Sequence, residues 1–180
     1  MELPDWTILG NSLRSWLIAV ALAAVLALAA KAIVLVVIRR LRVFAGRTAT
    51  QVDDLILGVL ERTRLPLLAV LAVYAATTAL TLPAVLAAWL RMFAVFALLI
   101  QVGFWLERLV TLLLLGYEQK NLATDAGRVT TMRAAGFIIR LVLFSLILLM
   151  ALDNVPGLDI TTLIAGLGIG GIAVALAAQN

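Results

Sequence analysis

The last twenty-one residues, Ile160–Asn180, read ITTLIAGLGIGGIAVALAAQN and carry no charge. At ~1.5 Å per helical residue, this stretch is long enough to cross ~30 Å of hydrocarbon. Glycine and alanine make up much of it, whereas most membrane helices are covered by larger apolar side chains. The stretch therefore predicts a membrane-spanning helix with an unusually smooth surface.

A helical wheel sorts the small residues of this stretch onto two faces. The first small face holds Gly166, Gly170, Ala173 and Ala177. The second small face holds Gly168, Gly171, Ala175 and Ala178. Between them runs an apolar stripe of Ala165, Ile169, Ile172 and Leu176, with Asn180 near its lower end.

Two small faces that flank an apolar stripe fit a ring of identical helices. Lipid provides no hydrophobic drive for helices to associate, so small residues that permit close backbone approach usually mediate the contact. Each helix of a ring would contact a neighbour on both sides, and the stripe would line a central pore. An equally simple interpretation buries the helix inside the bundle of its own subunit. A third interpretation, a dinucleotide site at Gly166-x-Gly168-x-x-Gly171, is rejected because the fingerprint requires a βαβ unit and a later acidic residue.

The segment Gly171-Ile-Ala-Val-Ala-Leu-Ala-Ala-Gln179-Asn180, preceded by Gly166-Leu-Gly-Ile-Gly170, resembles the pore-lining helix of the small-conductance mechanosensitive channel family. The resemblance covers residues 134–180 closely and the earlier helices more loosely. It implies a hydrophobic constriction at Ile172 and Leu176, and it places Asn180 where many members have a helix-kinking glycine. It also implies a heptamer, with extra N-terminal helices added to a three-helix core. Members continue into a cytoplasmic vestibule, so the sequence is expected to be truncated within the pore helix.

Composition places the whole chain in the membrane. Hydrophobic residues make up 64% of it and the mean hydropathy is +1.15, against roughly 45–50% apolar residues in soluble domains. The net charge of +4 comes from basic residues that lie between apolar segments rather than in one patch, which argues against nucleic acid as a partner. The chain has no Cys and no His, and no motif in it indicates a cofactor, a metal site or an enzyme.

Apolar runs predict an all-α integral membrane protein with about five spans. Residues 1–115 are interpreted as N-terminal sensor helices, with an amphipathic cytoplasmic helix at about 50–63 that lies along the membrane surface or leads into the second span. Residues 116–180 hold a polar connection (Gly116–Arg133), the fourth span, a tight turn at Pro156-Gly157 and the last helix, for which Asp159 is a candidate N-cap. The expected spans are Ser15–Ile38, Leu65–Leu82, Ala84–Leu106 with a possible extension to Leu115, Ala134–Leu152, and the last helix.

Loop charges predict the orientation. Residues 39–64 hold six Lys or Arg and residues 107–133 hold four, whereas the turns at 83 and 153–159 hold none. By the positive-inside rule the N-terminus lies outside and Asn180 lies in the cytoplasm. The resemblance implies the same arrangement, in an inner cell membrane.

The sequence thus predicts a homo-oligomeric ion channel that opens under membrane tension and relieves osmotic stress. Arg140, two turns inside the fourth span, and Arg133 before it are the candidates for coupling the helices to lipid. The alternative function is a transporter or accessory scaffold, with the last helix buried in a single subunit. A transporter would show repeated halves or a polar site at mid-membrane, and neither is visible.

Overall fold

The computed structural model describes residues 7–45, 51–121, 126–177 and 179. A hairpin of two short strands, β1 (Thr7–Ile8) and β2 (Asn11–Ser12), precedes the helices. The helices are α1 (Leu13–Ala45), α2 (Gln51–Leu60), α3 (Leu65–Thr77), α4 (Ala84–Asn121), α5 (Ala126–Asp153) and α6 (Thr161–Ala177). The predicted all-α membrane class is confirmed, and the sequence did not predict the small hairpin.

Among the described residues, three helices are long and apolar enough to cross a membrane. They are Leu13–Val43, Ala84–Glu118 and Val129–Asp153. The apolar helices α3 and α6 are shorter, with 13 and 17 residues. The predicted second span, Leu65–Leu82, is thus wrong at its end, because the helix stops at Thr77 and the chain turns through Thr78–Leu80.

The helices pack in an order that follows the chain. α1 contacts α2 and α3, both of these contact α4, and α4 contacts α5. Small buried side chains allow these close approaches, as is usual in membranes; five of them are Ala19, Ala72, Ala76, Ala94 and Ala97.

The predicted amphipathic helix is α2, and it leads into α3 through residues 61–64. It also packs against α1 and α4, so it is part of the bundle rather than a helix lying alone on a membrane surface. Its Gly58 faces α4 so closely that an added Cβ would lie 2.7 Å from Leu112 Cδ1.

The predicted flexible connection at Gly116–Arg133 is wrong in most of its length. α4 continues through Gly116 to Asn121, and α5 begins at Ala126. A cross-helix ion pair joins the two extensions: Arg133 Nε and Nη2 donate to the two carboxylate oxygens of Glu118, at 2.7 and 3.1 Å. The buried Val129 adds an apolar contact in the same part of α5. Polar residues that read as a loop therefore extend an antiparallel pair of helices beyond its apolar part.

Two buried amide side chains hold the connections of the bundle. Asn11, 7% exposed, donates to Thr81 O at 2.8 Å, and its Oδ1 accepts from Thr81 N and Oγ1, both at 2.9 Å. The N-terminal hairpin is thereby fixed to the turn between α3 and α4. Gln101 of α4, 1% exposed, accepts the backbone N–H of Arg64 at 2.7 Å and so supports the start of α3.

Candidate functional site

The turn before α6 is built by Pro156 and Gly157. Leu158 N donates to Val155 O at 3.2 Å, and Gly157 has a φ of 83°. Proline at the second position and a positive φ at the third define a type II turn, which glycine adopts without strain. The predicted turn is confirmed, and it fixes where α5 stops and the chain leaves for α6.

Asp159 supports the first turn of α6, as the sequence predicted. Its Oδ1 accepts the backbone N–H of Thr161 at 2.9 Å. Hydrogen bonds from the Thr161 side chain and backbone lower the pKa of this exposed carboxyl group. The ionised carboxylate therefore satisfies one of the backbone donors that every helix start leaves unpaired.

The surface of α6 is exposed throughout the residues whose side chains are described, 161–173 and 175–177. The predicted gate residues Ile169, Ile172 and Leu176 are 72%, 64% and 59% exposed. Asn180, the fourth predicted pore residue, lies outside the described residues. The large apolar side chains of the stripe are thus left mostly uncovered by the described residues of this chain.

The small residues of α6, like the large ones, have open space around them among the described residues. A Cβ added at Gly166, Gly168, Gly170 or Gly171 would meet no atom within 4 Å. Ala173, Ala175 and Ala177 are exposed, and Ala178 lies outside the described residues. The interpretation that buries this helix in the bundle of its own subunit is therefore not favoured by the structure.

Glycines elsewhere in the chain do meet neighbours, at the seam between α4 and α5. A Cβ at Gly103 would lie 3.0 Å from Ile147 Cδ1, and a Cβ at Gly136 would collide with Leu114. The two glycines lie on opposite helices and at different levels of the seam. They set the register in which α5, the helix that leads to α6, packs on α4.

The side chain of Arg140 lies in the seam between α4 and α5. Its Nη2 donates to Thr111 Oγ1 of α4 at 3.0 Å, and Thr111 Oγ1 donates to Glu107 Oε1 at 2.9 Å. The Arg140 guanidinium is thus linked through the Thr111 hydroxyl to the Glu107 carboxylate. Its buried Nε–H donor has no hydrogen-bond partner among the described residues.

Arg133, the second predicted coupling residue, pairs with Glu118 in the part of the same seam where α4 ends and α5 begins. The sequence analysis named both arginines but missed their partners on α4. Glu107, Thr111 and Glu118 recur on α4 at spacings of four and seven residues, which is the signal of one helix face. Gln101 was missed as well, although a lone amide in an apolar run is itself a sign of a buried polar contact.

No group of His, Cys, Asp or Glu that could hold a metal ion occurs among the described residues. The candidate site has two parts, the exposed apolar helix α6 and the polar seam between α4 and α5. Such a site can pack against other copies, repel water and respond to the position of α5.

Comparison with known proteins matches this part of the chain. Residues 137–179 match the family described as mechanosensitive ion channel, transmembrane helices 2/3. The large-conductance mechanosensitive channel MscMJLR of Methanocaldococcus jannaschii is 60% identical over 43 residues, which are 24% of this chain and 12% of that relative. The chain thus matches about an eighth of the relative's length. No solved structure matches the chain. The predicted resemblance is confirmed over α5 and α6.

Proposed function

We propose that this chain, which carries transmembrane helices 2/3 of the mechanosensitive ion channel family in residues 137–179, forms an ion channel opened by membrane tension. The observation that carries the proposal is α6, a 17-residue apolar helix whose described side chains are all exposed. An apolar, glycine-rich helix that the described residues leave this exposed needs cover from other copies of the chain or from lipid. Opening under tension would let ions pass and relieve osmotic stress.

The pore would be lined by the stripe of α6. Ile172 and Leu176 are one turn apart, so rings of them from several copies would form two stacked apolar collars. A narrow apolar collar excludes water and so blocks ions without any plug. Ile169 would lie above the collars and Asn180 below them.

The two small faces would mediate the contacts between copies. Their glycines have open space in place of a Cβ within the subunit, which leaves room for the backbone of a neighbouring α6. Smooth faces interlock little, so neighbouring helices could slide as the ring widens. The homo-oligomer is a proposal from these faces, and its number, seven, from the family resemblance.

Tension would reach the ring through α5 and the seam on α4. Most large side chains of α5 are exposed, among them Phe137, Ile138 and Leu141, so lipid contacts this helix directly. Arg140 and Arg133 link it to α4, through the Thr111 hydroxyl and the Glu118 carboxylate respectively. Lipid that displaces α5 would therefore shift a two-state equilibrium between a narrow and a wide ring.

We also propose that the N-terminus lies outside and Asn180 in the cytoplasm of an inner cell membrane. The positive-inside rule supports this orientation, since the Lys and Arg residues cluster at 39–64 and 107–133. This orientation requires an odd number of crossings, and five crossings satisfy it. The shorter apolar helices α3 and α6 would then cross together with the turns beside them.

Patch recordings test the gate. Ile172→Ser and Leu176→Ser should open at lower tension, because a hydroxyl eases wetting of the collar. The matched control is Leu167→Ser, which makes a similar change on the face of α6 away from the stripe and should keep the wild-type threshold. Unchanged thresholds in both collar variants, or equal shifts in all three, would contradict the proposed pore lining.

A further inference from the structure

The outer ends of α3 and α4 enclose a cavity that the proposed channel mechanism does not use. Its volume is about 710 Å³, within the range of pockets that hold small ligands. Apolar side chains such as Leu80, Leu82 and Leu90 line it together with Tyr74, Thr78 and Arg91. The cavity is therefore apolar with one cationic group.

Arg91 has no counter-charge among the residues that the structure describes. It is the only charged residue from Leu65 to Leu106. Within the part of the chain that the structure describes, it forms no hydrogen bond or ion pair. A charge at the edge of hydrocarbon without a partner is costly, so the cavity calls for an anion from outside the described chain.

The position of Arg91 brings its guanidinium toward the membrane surface. It lies seven residues after the start of α4 at Ala84, or about 10 Å along the helix axis. Side chains on a helix tilt toward its N-terminus, and here the N-terminus is the end at the Pro83 turn. The aromatic pair Trp89 and Phe93, with ring centroids 6.4 Å apart, marks the same level, as interfacial aromatic residues do.

We propose that this cavity binds one anionic phospholipid, with its phosphate on Arg91. The planar guanidinium can donate two parallel hydrogen bonds to phosphate oxygens. Tyr74, which also lines the cavity, carries a hydroxyl that can supply a further donor. The acyl chains would lie against the apolar wall. Phosphate groups are present at this depth in any bilayer, and the absence of acidic residues from the lining favours a lipid of net negative charge.

Native mass spectrometry of the intact protein in detergent tests this site. The probes are phosphatidylglycerol and phosphatidylcholine with the same acyl chains. We expect phosphatidylglycerol to be retained preferentially, and Arg91→Gln to lower its retention roughly tenfold, since hydrogen bonds to charged groups are worth about that much. Arg14→Gln is the matched control, because it removes one charge at the same end of the bundle and outside the cavity; it should retain lipid as the wild type does.

A second variant separates the cavity from the charge. Ala87 lines the cavity and is exposed, so Ala87→Phe should fold and should still exclude the lipid while keeping Arg91. Circular dichroism checks that each variant is as helical as the wild type. Retention by Ala87→Phe at the wild-type level would overturn the cavity site.

Three further outcomes would overturn the proposal. Equal losses in Arg91→Gln and Arg14→Gln would mean general attraction of charge, and displacement of the lipid by inorganic phosphate would mean a site for free phosphate. Higher retention in the double variant Glu2→Gln, Asp5→Asn would mean that the N-terminal acids neutralise Arg91. None of these measurements requires channel opening, so they can fail or succeed independently of the proposed function.

Discussion

Glycine residues serve two different purposes in this chain. Gly58, Gly103 and Gly136 lie where a Cβ would meet Leu112, Ile147 or Leu114, so these glycines permit contacts between helices of one subunit. Gly168 and Gly170 have open space around them. A glycine costs a helix roughly 1 kcal/mol relative to alanine. Glycines that meet no atom among the described residues therefore favour the proposed contact with other copies of the chain.

The pH dependence at the start of α6 follows from Asp159. Because the pKa of Asp159 is lowered in the folded chain by its hydrogen bonds to Thr161, the stabilisation is present above the unfolded value of about 3.9. It is lost as the pH falls through the lowered pKa. We expect the protection of the Thr161 amide against hydrogen exchange to stay constant above about pH 3.9 and to fall below it, by an amount too small to unfold the helix.

Asp159→Asn is the control for this prediction. An asparagine oxygen can still accept the Thr161 N–H, but it does not titrate, so the amide should stay equally protected over the same pH range. The same acid-induced loss of protection in the asparagine variant would show that another group is responsible.

At the scale of elements, α4 organises the described bundle. Its 38 residues span about 57 Å at the usual rise, well beyond ~30 Å of hydrocarbon. The first half of α4 supports α3, because Gln101 of α4 accepts the backbone N–H of Arg64 just before α3 begins. The second half of α4 supports α2 and α5. α5 therefore packs on the C-terminal half of α4.

Gly136 makes the register of the α4–α5 seam testable. Gly136→Val should destabilise the bundle by about 1–3 kcal/mol, as overpacking usually does, because the added side chain collides with Leu114. Unfolding in detergent measures the change. Gly116→Val is the matched control: Gly116 also lies within a helix, and nothing surrounds its Cβ position within 4 Å.

Adding Leu114→Ala to Gly136→Val should recover part of the lost stability, because it removes the colliding side chain. If Gly116→Val is as destabilising as Gly136→Val, the cost comes from replacing glycine in a helix and the seam register is incorrect.

For the whole molecule, the sequence predicted the features that are determined within a single helix or turn, and it missed those that depend on contacts between helices. Apolar runs and the Pro156-Gly157 turn follow from spacing and local chemistry, and the structure agrees with them. The roles of the faces of α6 follow from spacing as well and stay predictions. The continuation of α4 and α5 through residues 116–121 and 126–133 could not be predicted in this way, because it depends on Glu118 meeting Arg133 across two helices. The burial of Gln101 depends likewise on where a distant connection, at Arg64, comes to lie.

The exposed faces of α6 make assembly separable from folding. Gly168→Val should leave the subunit's helical content and unfolding unchanged, since a Cβ there meets no atom within 4 Å. It should abolish a ring of subunits, because a branched side chain on a small face prevents close approach of the neighbouring helix. Native mass spectrometry gives the subunit number, and Leu167→Val, which changes an exposed residue off both small faces, should assemble as the wild type does. Full assembly of Gly168→Val would show that this face forms no contact between copies, and an unfolded subunit would show that α6 packs within its own chain.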